Sequence, residues 1–419
     1  MATSSPLALT TTTTDAVNSA MKEHYKPGRI KAMVYENNPL LALMPKYEKF
    51  GGENMPIPII VTGPQRRSSV FENAQDNTST STLRQFLLTR VKDYSFGVIE
   101  HEAIRASQSN TDAFIRYATM EIDGAIHSLK RSMAVAMYRD GTGSIGRIAS
   151  KSSQTLTLSN ADDASNFEVG MTLTCFDALS DTESDSRFMK PDTSDQSDGD
   201  TVVTAVDRST GEITVTGTIT NHVADDVFVQ KGDLNAKMSG LEAWCPRVLD
   251  SNNATLFGVD RTADSTRLGG VRFDGSALPI EEALIGGASQ VGREGGAPSH
   301  CFMDFSSYSN LEKALGSKVI YDKVKASDAE VGFTALVING PRGPIKVIPD
   351  HNCQPGVAWL LQLDTWSLNT LGAAPQILDG DGNGQLMRVS NLDAYEARIG
   401  FYGNVACTAP GYNARIALT

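Results

Sequence analysis

The sequence predicts an α+β fold, and three patterns support this prediction. Apolar residues recur every three or four positions from Ile115 to Ala136, which indicates one long amphipathic helix. Residues 144–239 alternate apolar and polar side chains over short runs, which is typical of strands. The chain after Gly240 mixes both patterns, so we expect helices and strands to share the remaining core.

Residues 1–50 predict an N-terminal arm. Residues 1–30 are polar and rich in Thr, and the arm becomes basic near its end. The basic end is either a solvated face or a surface that clasps an acidic neighbour. Val34 to Met44 is a short apolar segment in which Pro39 disfavours helix at Asn38, so a turn there and then a short helical piece are expected.

Residues 51–107 predict an extended β-hairpin. Met55–Val61 contains two prolines, which suits an edge strand, and Leu83–Ile99 provides the return strand. An arm of about 17 residues at about 3.3 Å per residue would reach about 55 Å. Because an isolated hairpin is marginal in water, we expect it to lie on a neighbouring molecule.

Residues 108–143 predict the long helix and its end. Asn110 or Thr111 can cap its first turn, and Gly141 and Gly143 stop it. Gly141 to Gly146 matches the spacing G-x-G-x-x-G. A dinucleotide site needs that pattern to open a helix after a strand, whereas here it ends a helix. The glycines therefore indicate a turn.

Residues 144–239 predict a small inserted all-β domain. The predicted strands are 155–158, 169–176, 201–206, 213–219 and 227–229, with a hairpin turn at 207–212. Residues 177–200 carry eight acidic side chains against one Arg and one Lys. We interpret this stretch as a solvated acidic loop; a divalent-cation site is the alternative.

Residues 240–419 predict two helices followed by strands. Pro279–Arg293 opens with Pro279 in the first turn, and Ser306–Leu315 forms the second helix. The strands are expected at 334–338, 345–348, 357–363, 394–406 and 414–418. The last two are expected to form a terminal pair.

Composition limits the function. The 419 residues carry a formal charge of −12, which disfavours tight nucleic-acid binding through phosphate neutralisation. The five cysteines contain no C-x-x-C pair, so reduced and mostly buried thiols are expected. Residues 1–20 lack a basic start and an apolar run, and no segment approaches the roughly 18 apolar residues of a membrane span.

Two chemical motifs are incomplete. Asp379–Gly384 resembles the start of a calcium loop, but the twelfth position is Ser390 instead of Glu, so a tight turn is preferred. His101-Glu102 begins a zinc motif, but Arg105 stands where the second His is needed. We therefore predict no catalytic residue, no cofactor and no metal ligand.

The order of these parts resembles the major capsid proteins of tailed bacteriophages, the Hong Kong ninety-seven type shared with encapsulins. The resemblance rests on the arm, the hairpin, the long helix, Arg139–Gly143, Gly240-Leu241, the two later helices, Gly343–Pro349 and the terminal strands. It covers nearly the whole chain except 144–239. It implies an extended loop at 51–107 and a spine helix at 108–143. It also implies a peripheral domain continued at 240–276, an axial domain at 277–375, and peripheral C-terminal strands at 376–419.

The resemblance implies a shell protein without enzymatic activity. Copies would form hexamers and pentamers of an icosahedral capsid, assembled in the host bacterial cytoplasm around double-stranded DNA that is not bound sequence-specifically. Its expected partners are a separate scaffolding protein and a portal, with a decoration or cement protein as a further candidate. Some relatives crosslink through a loop lysine. No Lys lies between Gly51 and Val91, so no such crosslink is expected.

Two other function classes stay open at the sequence level. An encapsulin-like nanocompartment would carry enzyme cargo and no genome. A β-rich surface binding protein is suggested by the Thr-rich strands of 144–239, although the unpaired cysteines count against secretion. An enzyme built from scattered residues is a third alternative.

Overall fold

The structure is a computed structural model that describes most of the chain. It describes residues 37–64, 66–77, 79–101, 111–178, 191–196, 199–250, 253–316, 321–325, 332–378, 386–389 and 392–418. For 111–118, 178, 191–196, 321–325 and 332–334 the backbone alone is described. These residues form a mixed α+β fold with many strands and few helices, as the sequence predicts.

The helices and strands have the following bounds. The α-helices are α1 Pro39–Leu43, α2 Phe71–Asp76, α3 Thr111–Tyr138, α4 Leu241–Trp244, α5 Ile280–Glu294 and α6 Phe305–Leu315. The strands of the first 230 residues are β1 Lys46–Tyr47, β2 Asn54–Thr62, β3 Thr82–Thr89, β4 Val91–Glu100, β5 Ser144–Ser152, β6 Thr155–Leu158, β7 Thr172–Ala178, β8 Pro191–Gln196, β9 Thr201–Asp207, β10 Glu212–Thr216 and β11 Val227–Gln230. The later strands are β12 Thr255–Leu256, β13 Val259–Asp260, β14 Val271–Asp274, β15 His300–Met303, β16 Tyr321–Lys325, β17 Gly332–Gly340, β18 Gly343–Pro349, β19 Val357–Leu361, β20 Trp366–Thr370, β21 Gln376–Ile377, β22 Leu386–Arg388, β23 Ala394–Cys407 and β24 Ala414–Ala417.

The long helix α3 packs on one face of a six-stranded sheet. In that sheet β23 pairs with β4, β20, β21 and β22, and β1 pairs with β20. Ile122, Leu129 and Met133 are buried at the predicted helical spacing, which confirms the apolar stripe where side chains are described. Gly97 of β4 lies so close to the helix that an added Cβ would stand 3.1 Å from the carbonyl oxygen of Glu121.

The β-rich segment after α3 closes on itself. β11 pairs with both β5 and β7, so β5, β6, β10, β9, β7 and β11 form a ring of antiparallel strands, and β8 extends it from β7. The ring encloses its own apolar core, which includes Leu156, Phe167, Ile213 and Phe228. Closure leaves fewer exposed strand edges, since each ring strand has two neighbours.

A third unit combines a seven-stranded sheet with two helices. Its strand order is β14-β24-β19-β15-β18-β17-β16, and α5 and α6 pack together beside it. Leu284, Val291 and Leu311 from the helices share one core with sheet residues such as Leu360. The predicted helices and strands of this region are confirmed, except that Pro279 is the N-cap and not a first-turn residue.

The expected terminal strand pair is wrong. β23 belongs to the sheet under α3, whereas β24 lies between β14 and β19 in the seven-stranded sheet. β20 likewise pairs with β23, although it falls in the predicted axial segment 277–375. Boundaries at 276/277 and 375/376 therefore divide both sheets. The grouping of strands into the two sheets depends on pairing between strands that are far apart in the sequence. Local sequence patterns carry no information about that pairing.

The expected long hairpin is also wrong in its length and its support. β2 pairs with β3 from Asn54↔Thr89 to Thr62↔Thr82, but the return strand breaks at Arg90 and β4 joins β23 instead. The hairpin also packs on its own chain, because Ile57, Phe86 and Leu88 enter the main core. It does not need a neighbour to cover its inner face.

Candidate assembly surface and the polar junction behind it

The hairpin presents an apolar outer face. Cross-strand pairs Pro56↔Leu87 and Ile60↔Leu83 point outward, opposite to the buried inner residues. Ile60 is 66% exposed and Leu83 is 64% exposed. We call Pro56, Pro58, Ile60, Leu83, Gln85 and Leu87 the hairpin face; Gln85 is its only polar member. A contiguous exposed apolar strip of this kind marks an interaction surface.

The inner side of the hairpin is fixed to the segment 244–267. The rings of Phe86 and Trp244 lie 5.0 Å apart between centroids. The backbone N–H of Leu87 donates to the Phe257 carbonyl at 3.0 Å, and Arg267 Nη1 donates to the Val61 carbonyl at 2.7 Å. The hairpin face is therefore held in a defined position and is not a loose loop.

The connection between β2 and β3 adds a second exposed apolar group. The helix α2 buries none of its residues, and Phe71 at its start is 80% exposed. Val70 beside it is exposed, as are Arg66 and Arg67. An aromatic side chain next to two arginines is a residue combination enriched at protein interfaces.

Strand β4 exposes the side chains that face away from α3. Tyr94, Phe96 and Val98 alternate along β4 and are exposed, while Gly97 and Ile99 between and beyond them are buried. The sequence predicted this alternation but not which side would be covered. The helix covers the side with the smaller residues, so the aromatic side chains remain outside.

A buried ionic cluster locks β4 to α3. Lys237 Nζ lies 3.0 Å from Asp93 Oδ2, 2.9 Å from Asp233 Oδ2 and 2.7 Å from Ser132 Oγ. The Lys237 and Asp93 side chains are each only 13% exposed. Burial raises the pKa of Asp233, while Lys237 opposes that shift. Such a cluster is weakened strongly when one partner is removed, because a buried charge is then left unpaired.

Two glycine positions shape the turn after α3. Gly143 has φ +89°, and a Cβ there would stand 2.5 Å from the Asp233 carbonyl oxygen. A Cβ on Gly240 would overlap the carbonyl oxygens of Ala136 and Met137. The interpretation as a helix-ending turn is confirmed for Gly141 and Gly143, whereas Gly146 lies in β5, a strand that the sequence patterns missed.

Behind this turn lies a polar junction that joins α3 to the seven-stranded sheet. Gln354 Nε2 donates to the Tyr138 carbonyl and to Glu242 Oε2, each at 3.2 Å. Tyr138 Oη donates to Asp350 Oδ2 at 2.8 Å. Burial raises the pKa of Asp350, and burial together with Asp350 raises that of Tyr138. This network fixes the end of α3 against the loop before β19.

Glu242 is a second carboxyl of this junction whose pKa is strongly raised. Burial raises its pKa to about 8, and the negative charge of Asp140 adds to the shift. The positive charges of Arg415, Arg139 and Arg247 oppose it. Sequence reasoning missed Glu242; the available signal was a lone carboxylate inside the run Leu241-Glu242-Ala243-Trp244-Cys245.

The residues of the incomplete chemical motifs either make ordinary contacts or lie outside the described residues. His101 Nδ1 lies 3.3 Å from Asp393 Oδ2, while Glu102, most of the acidic stretch 177–200 and residues 379–385 fall outside. Across the described ranges, no three His, Cys, Asp or Glu side chains cluster as a metal site would require. All five cysteines are buried and lie outside any disulfide bond, which confirms that expectation.

No helix in the described part of the chain combines the length and apolar character needed to cross a membrane.

Comparison with known proteins found similarity in structure only. No family model matches the sequence, and no curated protein matches it. The chain is similar to the capsid asymmetric unit of cyanophage A-1(L), with 10% identity, a TM-score of 0.47, and coverage of 91% of this chain and 92% of that chain. It is similar to the capsid of a native GTA particle, with 7% identity, a TM-score of 0.44, and coverage of 90% and 88%. A structure of phage G major capsid proteins with decoration proteins matches with 7% identity, a TM-score of 0.38, and coverage of 90% of each chain. All three are structures of capsids.

Proposed function

We propose that this chain is the major capsid protein of a tailed bacteriophage. Copies assemble as hexamers and pentamers of an icosahedral shell that encloses double-stranded DNA. The observation that carries the proposal is the hairpin face, an apolar strip that the chain holds rigidly and leaves uncovered. A protein that stays monomeric gains nothing from such a strip and risks aggregation.

The order of elements supports the same proposal. The hairpin β2–β3 takes the place of the extended loop, α3 that of the spine helix, and the sheet with α5 and α6 that of the axial domain. In this assignment the axial unit includes β14 and β24, and the β-ring of residues 144–230 is the inserted domain. Residues 1–50 contain the N-terminal arm.

The proposed role is structural and without enzymatic activity. The expected partners are further copies of the chain, a separate scaffolding protein and a portal, with a decoration protein as another candidate. A formal net charge of −12 suits a capsid shell that faces DNA without binding it tightly. The mature location would be the virion capsid, after assembly in the host cytoplasm.

The test replaces the two most exposed aliphatic residues of the hairpin face, as Ile60→Ser with Leu83→Ser. Fully burying such a side chain contributes about 1.5–3 kcal/mol, so two side chains that are about two-thirds exposed contribute about 2–4 kcal/mol per contact. At about 1.4 kcal/mol per factor of ten, each contact should weaken roughly 30-fold to several hundredfold. Sedimentation velocity should show loss of large assemblies.

The matched control is Val169→Ser, which removes an aliphatic side chain that is 65% exposed on the β-ring segment. It should leave assembly unchanged. Wild-type chain that never assembles would refute the capsid role itself. Assembly of the double variant at the wild-type concentration would show that a different surface makes the contacts. Shells that carry protein cargo in place of DNA would favour the nanocompartment alternative.

A further inference from the structure

The free edge of strand β2 lies beside the hairpin face. β2 pairs with β3 along one side, and within the described ranges no second strand lies against its other side. The strand has nine residues, so its edge is long enough to act as a template for pairing with another chain. Whether it can do so depends on the backbone groups that point outward from it.

One hydrogen bond of β3 fixes the direction of those groups. The backbone N–H of Leu87 donates to the Phe257 carbonyl at 3.0 Å, so it points away from β2. Leu87 stands directly opposite Pro56, and the two residues therefore form a pair without mutual hydrogen bonds. In such a pair the backbone nitrogen and carbonyl of Pro56 point to the free edge of β2. The pattern repeats every second residue, so the other outward positions are Asn54, Pro58 and Ile60.

Two of these outward positions carry no hydrogen-bond donor. Proline has no backbone N–H, and its ring occupies the place of that hydrogen. Pro56 and Pro58 are exposed and follow each other along the edge, so the middle of the edge offers carbonyl acceptors only. A strand added here would leave the carbonyl groups that face the two prolines unpaired. Unpaired backbone groups in a contact cost free energy comparable to lost hydrogen bonds.

The sequence around the prolines shows which kind of association they oppose. Residues 55–61 read Met-Pro-Ile-Pro-Ile-Ile-Val and contain no charged side chain. Segments of six or seven residues with high β propensity, low charge and no proline stack readily into strand assemblies. Charged side chains are the other common protection of an edge, and this stretch has none. The two prolines therefore supply the protection within this segment.

We propose that Pro56 and Pro58 close the edge of β2 to strand addition, so that another copy of the chain contacts the hairpin through its side-chain face. The contact with another copy rests on the proposed function, whereas the closed edge does not. An edge contact could continue without limit, since each added strand presents a new edge. A face contact buries Ile60 and Leu83 and creates no such template.

The test restores the two missing donors with Pro56→Ala together with Pro58→Ala. The full-length chain is kept below the concentration at which the wild type assembles. Thioflavin T fluorescence and the infrared absorption of intermolecular strands are followed over time. The double variant should form strand-paired aggregates at least ten times faster than the wild type. Each single variant restores one donor and should aggregate at an intermediate rate.

The matched control is Leu83→Ala together with Leu87→Ala. It removes apolar side chains from the same face through β3 and leaves the edge of β2 unchanged, so it should aggregate no faster than the wild type. An unchanged aggregation rate in the double proline variant would overturn the proposal. Equal acceleration in the leucine control would also overturn it, because a loosened hairpin would then be the cause.

Two further outcomes have a defined meaning. If circular dichroism shows that the double proline variant does not fold, the two single variants decide by the same criteria. Wild-type chain that never assembles would refute the proposed shell role. The comparison of aggregation rates between the wild type and the proline variants would still test the closed edge.

Discussion

Replacement of Glu242 by Gln should make the protein more stable in alkaline solution. Glu242 lies in the first turn of α4, where it accepts a hydrogen bond from Gln354. Burial and the neighbouring Asp140 raise its pKa to about 8 from an ordinary value of 4.5. A Gln side chain keeps the shape and the neutral hydrogen-bonding capacity of the protonated acid and cannot ionise.

The sign of the effect follows from proton binding. The folded chain holds a proton on Glu242 that the unfolded chain releases above its ordinary pKa, so the wild type has its full stability below about pH 4.5. That contribution is lost progressively as the pH rises through the folded pKa of about 8. At about 1.36 kcal/mol per pKa unit, the full shift corresponds to about 5 kcal/mol as an upper limit. Glu242 is half-buried, and the water beside it lowers the expected effect to about 2–3 kcal/mol.

The assay is equilibrium denaturant unfolding of the unassembled chain between pH 5 and pH 9. Wild type and Glu242→Gln should have similar free energies of unfolding at pH 5. The variant should be more stable by about 2–3 kcal/mol at pH 8.5, because it lacks the carboxyl that loses its proton on unfolding. The control Glu212→Gln changes an exposed carboxyl on the β-ring and should follow the wild type. Parallel curves for wild type and Glu242→Gln at all pH values would refute the reasoning.

Three further substitutions test other parts of the fold. Gly240→Ala would press a methyl group into the Met137 carbonyl and should lower the free energy of unfolding by at least about 2 kcal/mol in denaturant titration. Lys237→Met leaves Asp93 buried without its cation and should destabilise by about 3 kcal/mol, with faster proteolysis between β3 and β4; unchanged proteolysis would contradict the locking role. Burial lowers the pKa of His300 to about 4 from 6.5, so stability should fall as the pH drops from 6.5 toward 4. His300→Gln should remove about 2 kcal/mol of that loss of stability, as measured by unfolding at acid pH. An unchanged pH dependence of the free energy of unfolding below pH 6.5 would contradict this prediction.

Periodic patterns predicted the elements better than their partners. The stripe from Ile122 to Met133 gave α3 because burial on one face imposes helical spacing on the sequence. The alternation from Leu83 to Ile99 predicted strand structure. It could not show that the strand breaks at Arg90 and that β4 pairs with β23. Pairing partners are chosen by shape and packing across the whole chain, which a local pattern does not contain.

The polar junction was harder to foresee than the apolar face. The exposed alternation of Tyr94, Phe96 and Val98 was visible as a strand, although its open side was not. Glu242, Gln354 and Tyr138 meet through hydrogen bonds between residues more than 100 positions apart in the sequence, and none of them belongs to a motif. Gly240-Leu241 marked the position, since only Gly fits against the carbonyl oxygens of α3, but it carried no sign of the polar junction beside it.

Electron microscopy of the purified wild-type chain tests the central claim most directly, with and without the proteins encoded beside it. The account predicts closed shells, tubes or rings of capsomers, since the hairpin face needs a second copy to cover it. A monodisperse monomer that persists at high concentration would contradict it, because the exposed strip would then have no partner.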